Sequence, residues 1–80
     1  MTRNDILKQI NQIFIETLDN EEITLTENTQ ASDVDEWDSL MHVLLVDAME
    51  KHFNLRFKAS DIQNWNNVGE IIDSINHDLH

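Results

Sequence analysis

Cysteine and proline are absent from this chain of 80 residues, and glycine occurs once, at Gly69. Without cysteine there is no disulfide framework, no thiolate nucleophile and no thiolate zinc site. With no proline and almost no glycine, the tight turns between strands lack the residues that form them, which argues against an all-β fold. Positive charge is scarce as well: 5 Lys and Arg stand against 16 Asp and Glu, a formal net charge of −11 with the four His neutral. Such a surface repels nucleic acid and anionic lipid, so neither is an expected partner. No apolar run approaches the roughly 18 residues of a membrane span. The start Met1-Thr2-Arg3-Asn4-Asp5 lacks the basic-then-apolar order of a secretory signal, and a cytoplasmic location is the expectation.

What is present is enough to fold. Hydrophobic residues make up 40% of the chain, too many for the low-hydrophobicity, high-charge signature of disorder. The length suits one small domain over residues 1–80, expected to be a monomer with a modest core. Ile6, Leu7, Ile10, Ile13, Phe14 and Leu18 recur at helical spacing, which predicts an amphipathic helix over residues 3–18, with Thr2 and Asp5 as its capping pair. Residues 19–38 lose that periodicity and fill with Asp, Asn, Glu, Thr and Ser, which predicts a long loop pinned to the core by its few apolar residues.

A second helix is expected over residues 39–53. At about 100° per residue, His42, Leu45, Val46, Met49 and Phe53 form its core arc. The opposite arc carries Leu40, Met41, Leu44, Asp47, Ala48 and Lys51 and is more apolar than a solvated face should be, so this helix is expected to meet a partner outside the domain. Leu55 and Phe57 suggest a short extended link, and Ser60 with Gln63 a capping box for a brief helical turn. Asn67 with Glu70 caps a last helix whose buried face is Val68, Ile71, Ile72, Ile75 and Leu79. Gly69, in its first turn, is expected to admit a neighbouring segment closely. The fold class is therefore all-α, a small four-helix bundle of three main helices and one short one, with a long first loop.

The stretch that could carry chemistry is Asp35-Glu36-Trp37-Asp38-Ser39-Leu40-Met41, where the loop enters the second helix. Asp38 is a good N-cap, and Ser39 then takes the first helical position with free backbone N–H groups close by. An anion joined to that hydroxyl sits at the positive end of the helix dipole, a favourable place for a phosphate. Other chemistries fit less well. Asp33-Val34-Asp35 begins like a calcium loop, but Trp37, Asp38 and Leu44 stand where a ligand, the turn glycine and the bidentate Glu are needed. Ser39 and His42 lie one helical turn apart, yet no oxyanion site surrounds them, and His42 falls on the core arc as a satisfied, partly buried residue. His77 and His80 lack a third ligand and are expected to be exposed. Trp37 is expected to anchor the loop, with contact to a prosthetic arm or partner as the alternative, and Trp65 to serve packing.

Asp38-Ser39-Leu40 at the start of the second helix, then Val43, Leu45, Val46, Glu50 and Phe53, then Val68-Gly69-Glu70-Ile71-Ile72-Asp73-Ser74-Ile75, resembles the acyl carrier protein family over essentially the whole chain. That resemblance implies a carrier and no enzyme. It makes Ser39 the attachment point of 4′-phosphopantetheine, transferred from coenzyme A by a phosphopantetheinyl transferase, with acyl or aminoacyl cargo held as a thioester on the arm. It makes Asp38 a cap that also contacts the transferase, and Leu40, Met41, Leu44, Asp47 and Glu50 the face that docks on basic patches of ligases, acyltransferases or synthases. No metal is implied. Carriers of the fatty acid synthase type usually have a glycine shortly before the Asp-Ser-Leu triplet, where this chain has Glu36-Trp37. Met41 and Leu44 also stand where acidic residues are common, so the pattern suggests a specialised carrier. A reading from another class remains open: an unmodified acidic helical module docking on a basic partner through Leu40, Met41 and Leu44.

Overall fold

A computed structural model describes residues 1–79, and His80 lies outside the described residues. Four helices follow in order: α1 over Arg3–Leu18, α2 over Ser39–Phe53, α3 over Ala59–Asn64 and α4 over Val68–Leu79, with one 3-10 turn over Ala31–Asp33 inside the long first loop. Among the described residues there is no strand, and Leu55 to Phe57 is an irregular link. The bundle predicted from periodicity is the bundle observed.

The start of α1 and the ends of α1 and α2 have identifiable local causes. The Thr2 side chain accepts from the Asp5 backbone and Asp5 answers on the Thr2 backbone, a complete capping box that starts α1. With glycine so scarce, α1 and α2 terminate at Asp19 and Asn54, which take the left-handed conformation at φ 53° and 55°. Asp and Asn are the side chains that tolerate it best, because their short polar groups bond locally. The expected box at Ser60 and Gln63 does not form. The helix starts at Ala59, two residues earlier than that box would set it, behind Lys58, which makes no side-chain cap bond, and Ser60 falls inside the first turn.

The core is built of apolar side chains: Ile6, Ile10 and Phe14 from α1, Leu45 and Met49 from α2, and Val68, Ile71, Ile72 and Ile75 from α4 are all essentially sealed from solvent. The α1 helix packs on both α2 and α4. Leu79, predicted to join this face, is 41% exposed instead, as the last residue of α4. On α2, Met41 and Ala48 belong partly to the core side, where they pack against buried residues, so the outer arc is narrower than the spacing suggested.

The long loop is tied down by backbone bonds as well as by apolar anchors. Ile23, Leu25 and Trp37 are buried, and the Asn11 side chain clamps the chain between them, accepting from Leu25 N–H at 2.6 Å and donating to Ile23 C=O at 3.3 Å. Further on, the carbonyls of Glu27 and Thr29 accept from Gly69 N–H and Val68 N–H at 2.7 and 2.9 Å. The loop thereby supplies two of the acceptors that the first turn of α4 needs, while Asn67 Oδ1 takes the N–H of Glu70 at 3.0 Å. This close approach explains the single glycine: a Cβ on Gly69 would stand 3.0 Å from the Glu27 carbonyl oxygen. Arg3 closes the same corner, reaching Glu27 at 2.6 Å, Asp73, and the carbonyl of Gly69. The two carboxylates, Glu27 first, hold its guanidinium even more firmly in the charged form.

Candidate functional site

The site is built where the loop becomes a helix. Asp38 keeps an extended backbone, and its Oδ1 accepts the Met41 N–H at 2.8 Å while its carbonyl accepts the His42 N–H at 2.8 Å. This is the N-cap expected from the sequence, and it leaves Ser39 exposed as the first helical residue. The N–H groups and the dipole of the helix start therefore surround a hydroxyl that a large partner can reach. Those features fit an anionic phosphate ester on the hydroxyl, since the local field stabilises added negative charge and solvent exposure leaves room for a long substituent.

Trp37 holds the approach to this point. Its ring is buried edge-on against Phe14, with centroids 4.9 Å apart and planes at 89°, so it is the loop anchor foreseen from composition. Its indole N–H donates to His42 Nδ1 at 2.9 Å. His42 is partly buried and satisfied, as expected of a residue on the core arc. Between the 3-10 turn and the start of α2 lies an open groove of about 420 Å³, lined by Ala31, Trp37, Asp38, Ser39 and His42. Trp37 thus anchors the loop and also lines the groove beside Ser39. Trp65 is a packing residue, bonded through its indole N–H to Ser74 and edge-on to Phe57.

Past Ser39, the outer face of α2 is apolar and open. Leu40, Val43 and Leu44 are 70%, 64% and 47% exposed, three neighbours at helical spacing with Asp47 one turn further. Val43 was not among the outer residues singled out from the sequence. Its place one turn after Leu40 was the signal available. Met41 is displaced towards the core and contributes to this face only in part. The acidic residues differ from one another. Asp47 is exposed and pairs with Lys51 at 2.9 Å, holding that ammonium more firmly protonated through the hydrogen bond. Glu50 is half-buried, and its Oε2 accepts the Phe57 N–H at 2.9 Å, so it tethers the link after α2 to the helix. Of the two terminal histidines, His77 is exposed.

Comparisons with known proteins converge on one family. A family model described as the phosphopantetheine attachment site matches residues 8–75. The solution NMR structure of a holo acyl carrier protein from Geobacter metallireducens is 36% identical and superposes with a TM-score of 0.86, covering 91% of this chain and 84% of that one. A search of curated proteins finds no match.

Proposed function

The chain belongs to the phosphopantetheine-attachment family as an acyl carrier protein, and from that premise we propose that Ser39 is the residue to which its arm is joined. The protein is a carrier, with no reaction of its own, and its cofactor is a covalently attached 4′-phosphopantetheine. When bound, that group supplies a terminal thiol on which acyl groups are held as thioesters, which is how a chain without cysteine takes part in thioester chemistry. The observation that carries the assignment is the exposed Ser39 at the first position of α2, directly behind the Asp38 cap. In the loading step the Ser39 hydroxyl loses its proton and bonds to the phosphopantetheinyl phosphorus of coenzyme A. The pyrophosphate bond breaks, and adenosine 3′,5′-bisphosphate leaves.

Family membership implies interaction with a phosphopantetheinyl transferase and with biosynthetic enzymes. We infer that they meet the α2 face formed by Leu40, Val43 and Leu44, with Met41 at its inner edge and Asp47 and Glu50 adding negative charge towards basic patches. Exposed ion pairs are each worth about 0–1 kcal/mol, so this docking is fast, salt-sensitive and weak, as a carrier that visits several enzymes requires. An apolar outer face preceded by Glu36-Trp37 supports a specialised carrier served by a dedicated acyl ligase or acyltransferase. The same proposal takes residues 1–80 as one domain that acts as a monomer in the cytoplasm. The decisive experiment is intact mass after incubation with coenzyme A and a permissive transferase. One phosphopantetheinyl adduct on the native chain and none on folded Ser39→Ala is the expected result. An adduct that survives in Ser39→Ala moves the site elsewhere.

A further inference from the structure

Joining an arm at Ser39 requires only an accessible hydroxyl, yet the groove that Ser39 borders also contains an indole and an imidazole bonded to each other. An indole N–H can only donate, so His42 Nδ1 is the acceptor in that bond and the ring proton resides on Nε2. The hydrogen bond sets the two rings side by side, with planes 17° apart and centroids 6.0 Å apart, and Trp65 meets the imidazole from one further side, edge-on at 71° and 6.0 Å. Trp37 is in turn pinned on Phe14, so the pair cannot swing aside without opening the core. His42 follows Ser39 by three residues, which places both on one side of α2 a single turn apart. Ala31, exposed on the 3-10 turn, forms the far rim of the groove.

We propose that this groove is the resting seat of the proximal half of the arm, with Trp37 as its apolar wall and His42 Nε2–H as its hydrogen-bond donor. The proposal rests on Ser39 being the attachment point. An arm joined there begins on the groove's own rim, so its first groups reach the seat at high effective concentration. Those groups are a phosphodiester, a carbon bearing two methyls and an amide. An indole covers the methyls well, and an imidazole N–H can bond an oxygen of the phosphodiester or amide. Holding the proximal half leaves the distal thiol extended for partner enzymes.

The test compares the apo and holo forms by NMR, after intact mass has established whether an adduct forms and depends on Ser39. No adduct, or one that persists in Ser39→Ala, overturns the attachment reading and the seat with it. With the Ser39 adduct present, the expected result is nuclear Overhauser contacts from the arm's two methyls to the Trp37 ring and to His42, with the Trp37 indole resonance shifting more on loading than that of Trp65. Ala31→Leu fills the groove from an exposed rim position without touching the core. That variant should still take the adduct while losing the contacts and the Trp37 shift. An adduct at Ser39 without methyl contacts and without a Trp37 shift overturns the seat and leaves the attachment site standing. Contacts that persist unchanged in Ala31→Leu overturn its placement in this groove.

Discussion

Helices α2 and α4 both carry strings of aliphatic residues and arrange them differently. In α4, Val68, Ile71, Ile72 and Ile75 fall on one stripe, and the fold seals all four. In α2 the aliphatics go round the helix: Leu45, Val46 and Met49 turn inward while Leu40, Val43 and Leu44 remain in solvent. An amphipathic helix with one apolar stripe is completed by its own domain. A helix that is apolar on both sides is completed only in part, and its open side, next to Ser39, is a surface available to others.

This contrast breaks most sharply at Ile72. It is fully buried, and truncation to Ala is expected to cost about 2–5 kcal/mol. A core of this size rarely supplies more than about 3–5 kcal/mol, so Ile72→Ala should be unfolded or nearly so by circular dichroism at room temperature. The mirror experiment on α2 is Leu40→Ala or Leu44→Ala. Stability should move by less than about 0.5 kcal/mol, while kcat/KM for transferase loading falls roughly tenfold, about 1.4 kcal/mol of lost partner contact. A loading rate unchanged in both variants would show that the open face is not where the transferase docks.

Two smaller effects sharpen the contrast from the α1 side. Arg3→Gln removes both ion pairs that fasten α1 to the loop and to α4. Because Arg3 is 39% exposed and Asp73 63% exposed, water screens them, and the loss should total about 1 kcal/mol or less in chemical denaturation, shrinking further in high salt. The smallest effect concerns pH. The Thr2 backbone N–H, and after it the Thr2 hydroxyl, hold the Asp5 carboxyl below its ordinary value of 3.8. A carboxyl with a lowered folded-state pKa stabilises fully above its unfolded value and ceases to do so as pH falls through the folded one. Asp5→Asn should therefore fray the start of α1 near neutrality, measured as faster amide exchange, and match the native chain once the pH is below that lowered value.

Much of the fold was legible because its causes lie within a few residues. The spans of α1 and α2, the Thr2–Asp5 box, the Asp38 cap and the aliphatic stripe of α4 all follow from side chains three or four positions apart. The same local logic failed at Ser60, where the spacing of a capping box was present and the helix starts at Ala59 instead. It also failed at Leu79, which keeps perfect spacing at a helix end that nothing covers. At the site, Asp38 and Ser39 could be read from the sequence as a cap and a first-turn hydroxyl. Neither the placing of Val43 on the open face nor the tether from Glu50 to Phe57 could be read that way.

By itself, then, the sequence determined an acidic, all-helical chain with its apolar stripes, the spans of α1 and α2 and a serine presented at the start of α2. These are set by i to i+4 geometry, capping and charge count, each a property of neighbouring residues. Only the tertiary structure decided that Met41 and Ala48 turn partly inward on α2, that carbonyls of Glu27 and Thr29 cap α4, that Arg3 reaches across 70 residues to Asp73, and that Trp37 and His42 meet beside Ser39. Such contacts depend on how whole helices pack, and packing is chosen by the shape and volume of the assembled core rather than by any short stretch of chain.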